Sequence, residues 1–272
     1  MTGSSSESGL NRTGDGRAVA MRRPPEGLLW LGFFTAILAA WLALFVMTLT
    51  DPLAGLPSEI WAALCGDATT AGFPKLFAMW ALMAAAMMLP TFVPALRTFL
   101  HLGYAGATRP VEAVVLVGGY ALVWLGFAAV GAAAQLGLAG LGLVGPTGQS
   151  LSLWLAAGLL LLAGLYQFSL LKAACLAKCR MPLTFFMERW APGPARAFRM
   201  GAELGTLCLG CCWALMALAF VGGTMNLLWM GAATLFMVLE KLPDIGRPLT
   251  RPMGAVLILS SGITAILAIL QL

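Results

Sequence analysis

The chain is dominated by apolar stretches, most of which are as long as a helix that crosses a bilayer. Seven of them can be drawn, at residues 28–49, 76–98, 111–135, 152–174, 201–221, 225–241 and 252–271. About 20 predominantly apolar residues in a helix cover a hydrocarbon core roughly 30 Å thick. Only 10% of the residues are charged, against about 25% in soluble domains. These features predict an all-α, polytopic transmembrane helical bundle of about seven spans, with the lipid bilayer as its surroundings.

The first 26 residues differ from the rest of the chain. They are rich in Ser, Gly and Arg and nearly free of apolar side chains. Such a segment cannot bury enough apolar surface to offset the entropy of ordering it. We therefore expect a disordered cytoplasmic tail at residues 1–26 and a transmembrane helical domain at residues 27–272.

Basic residues are distributed unequally between the two predicted faces of the bundle. Of the 16 Lys and Arg residues, all but Lys75 fall in the tail, in alternate loops or at the adjoining span ends. An excess of Lys and Arg marks the cytoplasmic side of a membrane protein. The distribution predicts the N-terminus in and the C-terminus out. We attribute the net charge of +5 to this topology and expect no nucleic-acid partner.

Five of the six cysteines form two tight groups. The groups are Cys175 with Cys179, and Cys208 with Cys211 and Cys212. On a helix that turns 100° per residue, the members of each group share one face. Pro182 is expected to end the helix that carries the first group. Both groups fall towards the predicted cytoplasmic end but at different depths, so we expect two offset groups rather than one tetrahedral cage.

Clustered thiols indicate a site for a soft metal ion. Thiolate and thioether ligands favour Cu(I), with zinc and iron–sulfur centres as alternatives. The spacing is not a zinc-finger pattern, because the only histidine, His101, is distant in sequence. Met79, Met83 and Met87 recur at four-residue intervals along the second span. We predict that the five clustered cysteines and these three methionines bind the metal, the methionines extending its path. The alternative for both patterns is ordinary packing of apolar side chains, which we expect for Cys65.

Polar residues in or near the spans are further candidates, because polar groups within a membrane are costly and are often functional. The candidates are Gln167, Glu203, Asn226 and Glu240. Glu240 and its neighbour Lys241 have an alternative interpretation, in which their side chains only reach towards the lipid–water interface. For Asn226 the alternative is that it caps the helix that follows.

The same segments resemble a known family, the predicted metal-binding integral membrane proteins that are catalogued as domain of unknown function 2182. The matching stretches are MWALMAAAMMLP at 79–90, YQFSLLKAACLAKCRMPLTFF at 166–186, GAELGTLCLGCCWALMALAFVGGTMNLLWM at 201–230 and EKLP at 240–243. The resemblance implies a multi-pass protein of the bacterial inner (plasma) membrane with a copper-chaperone-like metal site. The family's candidate ligands correspond to Cys175, Cys179, Cys208, Cys211 and Cys212.

Three classes of function fit these observations. We expect the first, handling or delivery of a soft metal ion, above all copper, without enzymatic activity. The second is a membrane thiol–disulfide oxidoreductase, which needs a reactive thiolate and a resolving cysteine; Cys208 and Cys211 have the spacing but lie on the predicted reducing side. The third is a non-catalytic assembly or scaffold subunit. In this third case the basic loop at 172–200 is expected to dock a cytoplasmic partner. The metal-handling class also implies a cytoplasmic or membrane partner protein.

Overall fold

The computed structural model of the protein describes residues 26–48, 72–104, 110–145, 148–224 and 226–271. The tail predicted at residues 1–26 lies outside the described residues, except for Glu26, where the first helix begins. Cys65 and Met225 also lie outside them.

Ten helices form the described part of the chain. They are α1 (Glu26–Thr48), α2 (Phe73–Tyr104), α3 (Pro110–Gly140), α4 (Leu153–Tyr166), α5 (Leu170–Arg180), α6 (Pro182–Arg189), α7 (Pro194–Ala217), α8 (Ala219–Gly222), α9 (Leu227–Lys241) and α10 (Pro243–Leu270). Extended pairing within the described ranges is limited to one isolated antiparallel bridge between Val144 and Ser150. The prediction of an all-α fold is confirmed for these ranges.

Five helical segments are long and apolar enough to cross a membrane. They are Gly27–Met47, Phe73–Leu102, Val111–Gly140, Pro194–Gly222 and Ile245–Leu270. Helices α4 and α5 would form a sixth crossing together, but they are bent by 63° at a short break. The stretch predicted at 225–241 is the helix α9, whose 15 residues rise only about 22 Å. By length and composition the described residues therefore contain five crossings, or six with the bent pair, and this criterion does not confirm the predicted seven.

The bend between α4 and α5 occupies the three residues that separate the helices. Ser169 caps the start of α5, because its side chain accepts a hydrogen bond from the backbone N–H of Lys172 at 3.1 Å. Helix α5 ends at Arg180, and Pro182 takes the first position of α6, where a missing N–H costs nothing. The prediction that Pro182 ends the helix of the first cysteine group is confirmed.

Helices α3 and α7 run parallel with their backbones in contact. A Cβ added at Gly201 would lie 2.0 Å from the backbone oxygen of Leu116, and one added at Gly205 would lie 3.0 Å from the Cβ of Val123. The contact advances along both helices in the same direction, which makes them parallel. Small residues at a helix interface allow backbones to approach this closely. The contact fixes α7, which carries the second cysteine group, against α3.

The other large helix contacts are antiparallel. Helix α2 packs on α3 through a hydrogen bond from Trp80 Nε1 to Gln135 Oε1 at 2.7 Å and another from the Tyr120 hydroxyl to the Met88 carbonyl at 3.1 Å. Later residues of α2 thus meet earlier residues of α3. Each large side chain in this contact is buried, so α2, α3 and α7 form the centre of the bundle.

Helix α10 packs antiparallel to α4. The Ser261 hydroxyl donates to the carbonyl of Ala157 at 2.8 Å. A Cβ added at Gly164 would lie 2.7 Å from the side chain of Ile258, so residues later in α4 meet residues earlier in α10. The direction of α10 is therefore opposite to that of α4.

We expect Gly201→Val to reduce the free energy of unfolding by about 3 kcal/mol, at the upper end of the usual overpacking cost. The added side chain would collide with the backbone of Leu116, and backbone cannot move aside as a flexible side chain can. The matched control is Gly126→Val on α3, because a Cβ at Gly126 meets nothing within 4 Å. Reversible unfolding in mixed micelles measures both variants. Equal losses would contradict the close contact of α3 with α7.

Candidate metal centre

Three buried cysteines on α7 form a compact cluster. The sulfurs of Cys208, Cys211 and Cys212 all lie within 4.8 Å of one another. The Sγ atoms of Cys211 and Cys212 are 3.2 Å apart, and the Cys211 thiol donates to the carbonyl of Cys208 at 3.1 Å. Each side chain is at most 2% exposed, and each sulfur is a free thiol. The spacing of three and four residues places them on one helix face, as the sequence predicts.

The spacing of these sulfurs suits a shared metal ion. Zinc–sulfur bonds are about 2.3 Å long, so two sulfurs on such an ion lie at most about 4.6 Å apart. The cluster is within a few tenths of an ångström of that limit. Small changes in side-chain torsion would therefore bring all three sulfurs to one ion without moving α7.

Polar groups from three other helices surround the sulfur of Cys208. The Lys241 ammonium donates to this sulfur at 3.0 Å and to the Thr91 hydroxyl at 2.7 Å. The Tyr120 hydroxyl lies 3.1 Å from the same sulfur, and Thr91 in turn donates to the carbonyl of Met88 at 2.8 Å. A thiolate rather than a thiol binds metals, and a cation at hydrogen-bond distance favours the charged sulfur.

The end of α9, where Lys241 lies, is held in place by α5. Lys172 Nζ and Glu240 Oε2 form an ion pair at 2.9 Å, with both side chains 1% exposed. Arg180 donates to the backbone carbonyl of Glu240 from Nε at 2.9 Å and from Nη2 at 2.7 Å. The interpretation that Glu240 only reaches the lipid–water interface is therefore wrong. Its neighbour Lys241 points to Cys208 instead.

The first cysteine group lies beside the second. The Cys175 sulfur would be 2.7 Å from a Cβ added at Gly210, so it rests on the backbone of α7. Cys179 is half-buried, and its side chain interacts with that of Cys211. Among the described residues, however, the set within 4.8 Å contains only the cysteines of α7. The three α7 sulfurs therefore form a set of their own, but the predicted difference in depth is wrong, because Cys175 and Cys179 lie level with Gly210 and Cys211 of α7.

The predicted methionine stripe is buried on α2 but extends away from the cysteines. Met79, Met83 and Met87 are all less than 5% exposed. Helix α2 reaches the cluster at Thr91, which lies 3.9 Å from the sulfur of Cys208. From Thr91 the three methionines are about 18, 12 and 6 Å back along the helix axis. Met87 is just over one turn from Thr91, whereas the other two are too far along the helix to bind the same ion as Cys208.

The remaining polar candidates have separate positions. Gln167 is buried in the bend between α4 and α5, and neither polar atom of its side chain has a hydrogen-bond partner among the described residues. Glu203 forms ion pairs with two arginines away from the cluster. Asn226 accepts a hydrogen bond from the Trp229 backbone N–H at 3.1 Å, which confirms its capping role. His101 is exposed near the end of α2.

Sequence reasoning missed Thr91 and Tyr120 as neighbours of the cysteines. A usable signal was present, because Tyr120 is one of only three tyrosines and its hydroxyl lies in an apolar span. Thr91 directly follows the methionine segment and Pro90. A buried hydroxyl needs a hydrogen-bond partner, and that requirement alone would have made both residues candidates.

A comparison with protein families found a match that spans the helices of both cysteine groups. The model of the family PpoB2, described as a copper chaperone, matches residues 77–264. The matched range includes all five clustered cysteines and Lys241, and it supports the resemblance to metal-binding proteins at the level of a copper-related family. No curated protein and no solved structure matches the chain. Because the match covers more than two thirds of its residues, the chain belongs to the PpoB2 copper chaperone family.

Proposed function

We propose that the protein is an integral membrane copper chaperone, which binds Cu(I) through its clustered cysteines and passes the ion to a partner protein. The observation that carries the proposal is the cluster of three buried sulfurs within 4.8 Å of one another, in a chain of a copper chaperone family. Soft thiolate ligands select Cu(I). Zinc is the second candidate ion, since it also binds thiolates.

A position in a membrane is part of the proposal. Its support is the five helical segments that are long and apolar enough to cross a bilayer. Large apolar side chains on α1 and α10 are exposed, among them Leu38, Leu42, Leu259 and Ile263. Exposed apolar surface of this extent marks contact with lipid or with another protein. We infer that the membrane is the bacterial inner membrane, as the resemblance to domain of unknown function 2182 implies.

Helix directions support seven crossings with the N-terminus in and the C-terminus out. Because α3 and α7 are parallel, the bent α4–α5 pair between them must return the chain across the membrane. Helix α10 is antiparallel to α4 and therefore shares the direction of α7. The short helix α9 must then return the chain once more. The excess of basic residues in the tail and alternate loops favours the cytoplasm for the N-terminal side.

The exposure of the sulfurs suggests the order in which they take up the ion. Cys179 is half-buried and interacts with Cys211, whereas the three cysteines of α7 are at most 2% exposed. We infer that Cu(I) first binds at Cys179 and then moves by ligand exchange to the α7 cluster. Lys241, which donates to the Cys208 sulfur, holds that sulfur ready for the ion. The methionines of α2 extend the path further into the bundle.

The burial of the cluster also bears on the alternatives. A thiol–disulfide oxidoreductase needs an attacking sulfur that its substrate can reach. The cluster cysteines are at most 2% exposed, so their geometry favours ion binding over disulfide exchange. A purely structural subunit would not need the part-buried Lys241 ammonium at 3.0 Å from a cysteine sulfur, since taking a cation out of water is costly without a charged partner.

We expect the reduced wild-type protein to retain copper at one ion per chain, with sulfur ligands visible by X-ray absorption. The Cys179→Ser variant should reach the same copper content more slowly, because it loses the outermost thiol while the cluster remains. Elemental analysis gives the content, and competition with a chromophoric Cu(I) chelator gives the loading rate. The control is Cys65→Ser. Copper-free wild-type protein, or displacement of copper by equimolar zinc, would overturn the proposal.

A further inference from the structure

A large open cavity lies next to the cysteine site, between the end of α5, helix α6 and the first half of α7. Its volume is about 850 Å³. Four cationic side chains line it, from Lys178, Arg189, Arg196 and Arg199. The apolar part of its wall includes Phe185 and Leu207. None of the clustered cysteines belongs to its lining.

The cavity has an excess of positive charge that its own carboxylates do not neutralise. Only two acidic side chains, Glu188 and Glu203, belong to its lining among the described residues. Both are paired with arginines: Arg189 is 3.0 Å from Glu188 and 2.8 Å from Glu203, and Arg199 is 3.2 Å from Glu203. The four cations against two carboxylates leave the lining with a charge of about +2, taking each group at its usual charge.

Two of the cations remain available for a ligand. Within the ranges that the structure describes, Lys178 and Arg196 form no ion pair with a carboxylate. Both side chains are exposed, and they line the same cavity from different helices, α5 and α7. An anion in the cavity could receive a planar guanidinium from Arg196 and an ammonium from Lys178, the usual contacts of a phosphate group.

The position of the cavity along the helices indicates which kind of anion can reach it. The apolar segment Pro194–Gly222 has 29 residues and rises about 43 Å, which exceeds the roughly 30 Å hydrocarbon core. Its first turns, with Arg196 and Arg199, therefore extend to the level of the lipid headgroups. On α6, Leu183 and Met187 are exposed while Phe185 is buried, a pattern typical of a short helix that lies in the membrane surface.

We propose that this cavity binds the phosphate headgroup of an anionic phospholipid, an inference that rests on the membrane position proposed above. Arg196 and Lys178 contact the phosphate, and the apolar wall with Phe185 and Leu207 packs against the glycerol and the upper acyl chain. Basic pockets between helices on the cytoplasmic side of membrane proteins bind such headgroups. Because Lys178 directly precedes Cys179, a bound lipid holds the entrance of the copper path at the membrane surface.

The test titrates delipidated protein in mixed micelles with phosphatidylglycerol or phosphatidylcholine and counts bound lipid by native mass spectrometry. We expect wild type to prefer phosphatidylglycerol. The variant Lys178→Gln with Arg196→Gln should lose about thirtyfold in affinity, or about 2 kcal/mol at about 1 kcal/mol per basic residue. The matched control is Arg97→Gln with Arg251→Gln, which removes two exposed charges elsewhere and should leave the affinity unchanged.

Other results would overturn this inference. Equal binding of the two lipids by wild type would exclude recognition of an anionic headgroup, and this measurement needs no variant. Displacement of the lipid by inorganic phosphate at equal affinity would indicate a site for the free anion. An equal loss in the control variant would indicate diffuse attraction. Copper content measured in the same preparations separates the two proposals, since loss of copper with intact lipid binding counts against the chaperone proposal alone.

Discussion

Replacing both Cys208 and Cys211 by serine is expected to leave the purified protein without copper. The change removes two of the three sulfurs that lie within 4.8 Å of one another and leaves Cys212 alone on that face of α7. Changes outside the ligand set typically weaken metal binding by 10–100-fold, so loss of two ligands should weaken it by more than about 100-fold. Elemental analysis and chelator competition under reducing conditions measure the content and the affinity.

Serine is the appropriate replacement because it keeps the size and the hydrogen-bonding capacity of the side chain. Cys65→Ser serves as the control, since the same substitution outside both cysteine groups should leave the copper content unchanged. The free energy of unfolding of the copper-free proteins should differ little, which separates a lost ligand from a lost fold. If the double variant retained as much copper as wild type, the α7 cluster would not be the binding site.

We expect Lys172→Met to reduce the free energy of unfolding by about 3–5 kcal/mol, the usual cost of removing one partner of a buried ion pair. The carboxylate of Glu240 would remain in a site that is 1% exposed, and its second oxygen already lacks a hydrogen-bond partner among the described residues. Adding Glu240→Leu should restore most of the loss, since both charges are then absent. Reversible unfolding in mixed micelles measures the full double-mutant cycle.

The control for this cycle is an ion pair in contact with solvent. Arg199→Met breaks a contact with Glu203 whose two side chains are 71% and 36% exposed, so the loss should be at most about 1 kcal/mol. The copper affinity of Lys172→Met should also fall, because Glu240 precedes Lys241 in α9 and positions it. Similar losses from Lys172→Met and Arg199→Met would show that the buried pair does not stabilise the junction of α9 with α5.

Local patterns in the sequence predicted most helices but not where two of them depart from a simple span. The stretch at 152–174 is apolar from Leu153 to Leu165, and no proline or glycine lies within the bend at residues 167–169. The structure places Gly254 of α10 directly against Gln167 and Phe168. The bend therefore forms where the chain contacts a helix about 90 residues later. A hydropathy pattern contains no information about such a tertiary contact. Helix α9 is short because Asn226 caps its start and Pro243 begins α10 two residues after its end.

Helical spacing predicted the part of the candidate site that lies on a single helix. The intervals between Cys208, Cys211 and Cys212 suffice to place them on one face, and the structure confirms this. The contact of Lys241 with Cys208 joins residues 33 positions apart, and its contact with Thr91 joins residues 150 positions apart. Such pairs depend on how α2, α7 and α9 pack together. For the methionines, regular spacing on one helix did not imply a contact with another, because Met79 and Met83 of α2 lie away from the cysteines.

The glycine contact between α3 and α7 has a consequence for how an ion leaves the protein. With Gly201 against the Leu116 carbonyl, no side chain lies between the two backbones at that point, so α3 and α7 cannot move closer together there. Helix α5 and the end of α9 instead contact each other and the site through side chains, which can change rotamer. Unloading should therefore begin with a shift of α5 or α9, while the contact of α3 with α7 stays in place.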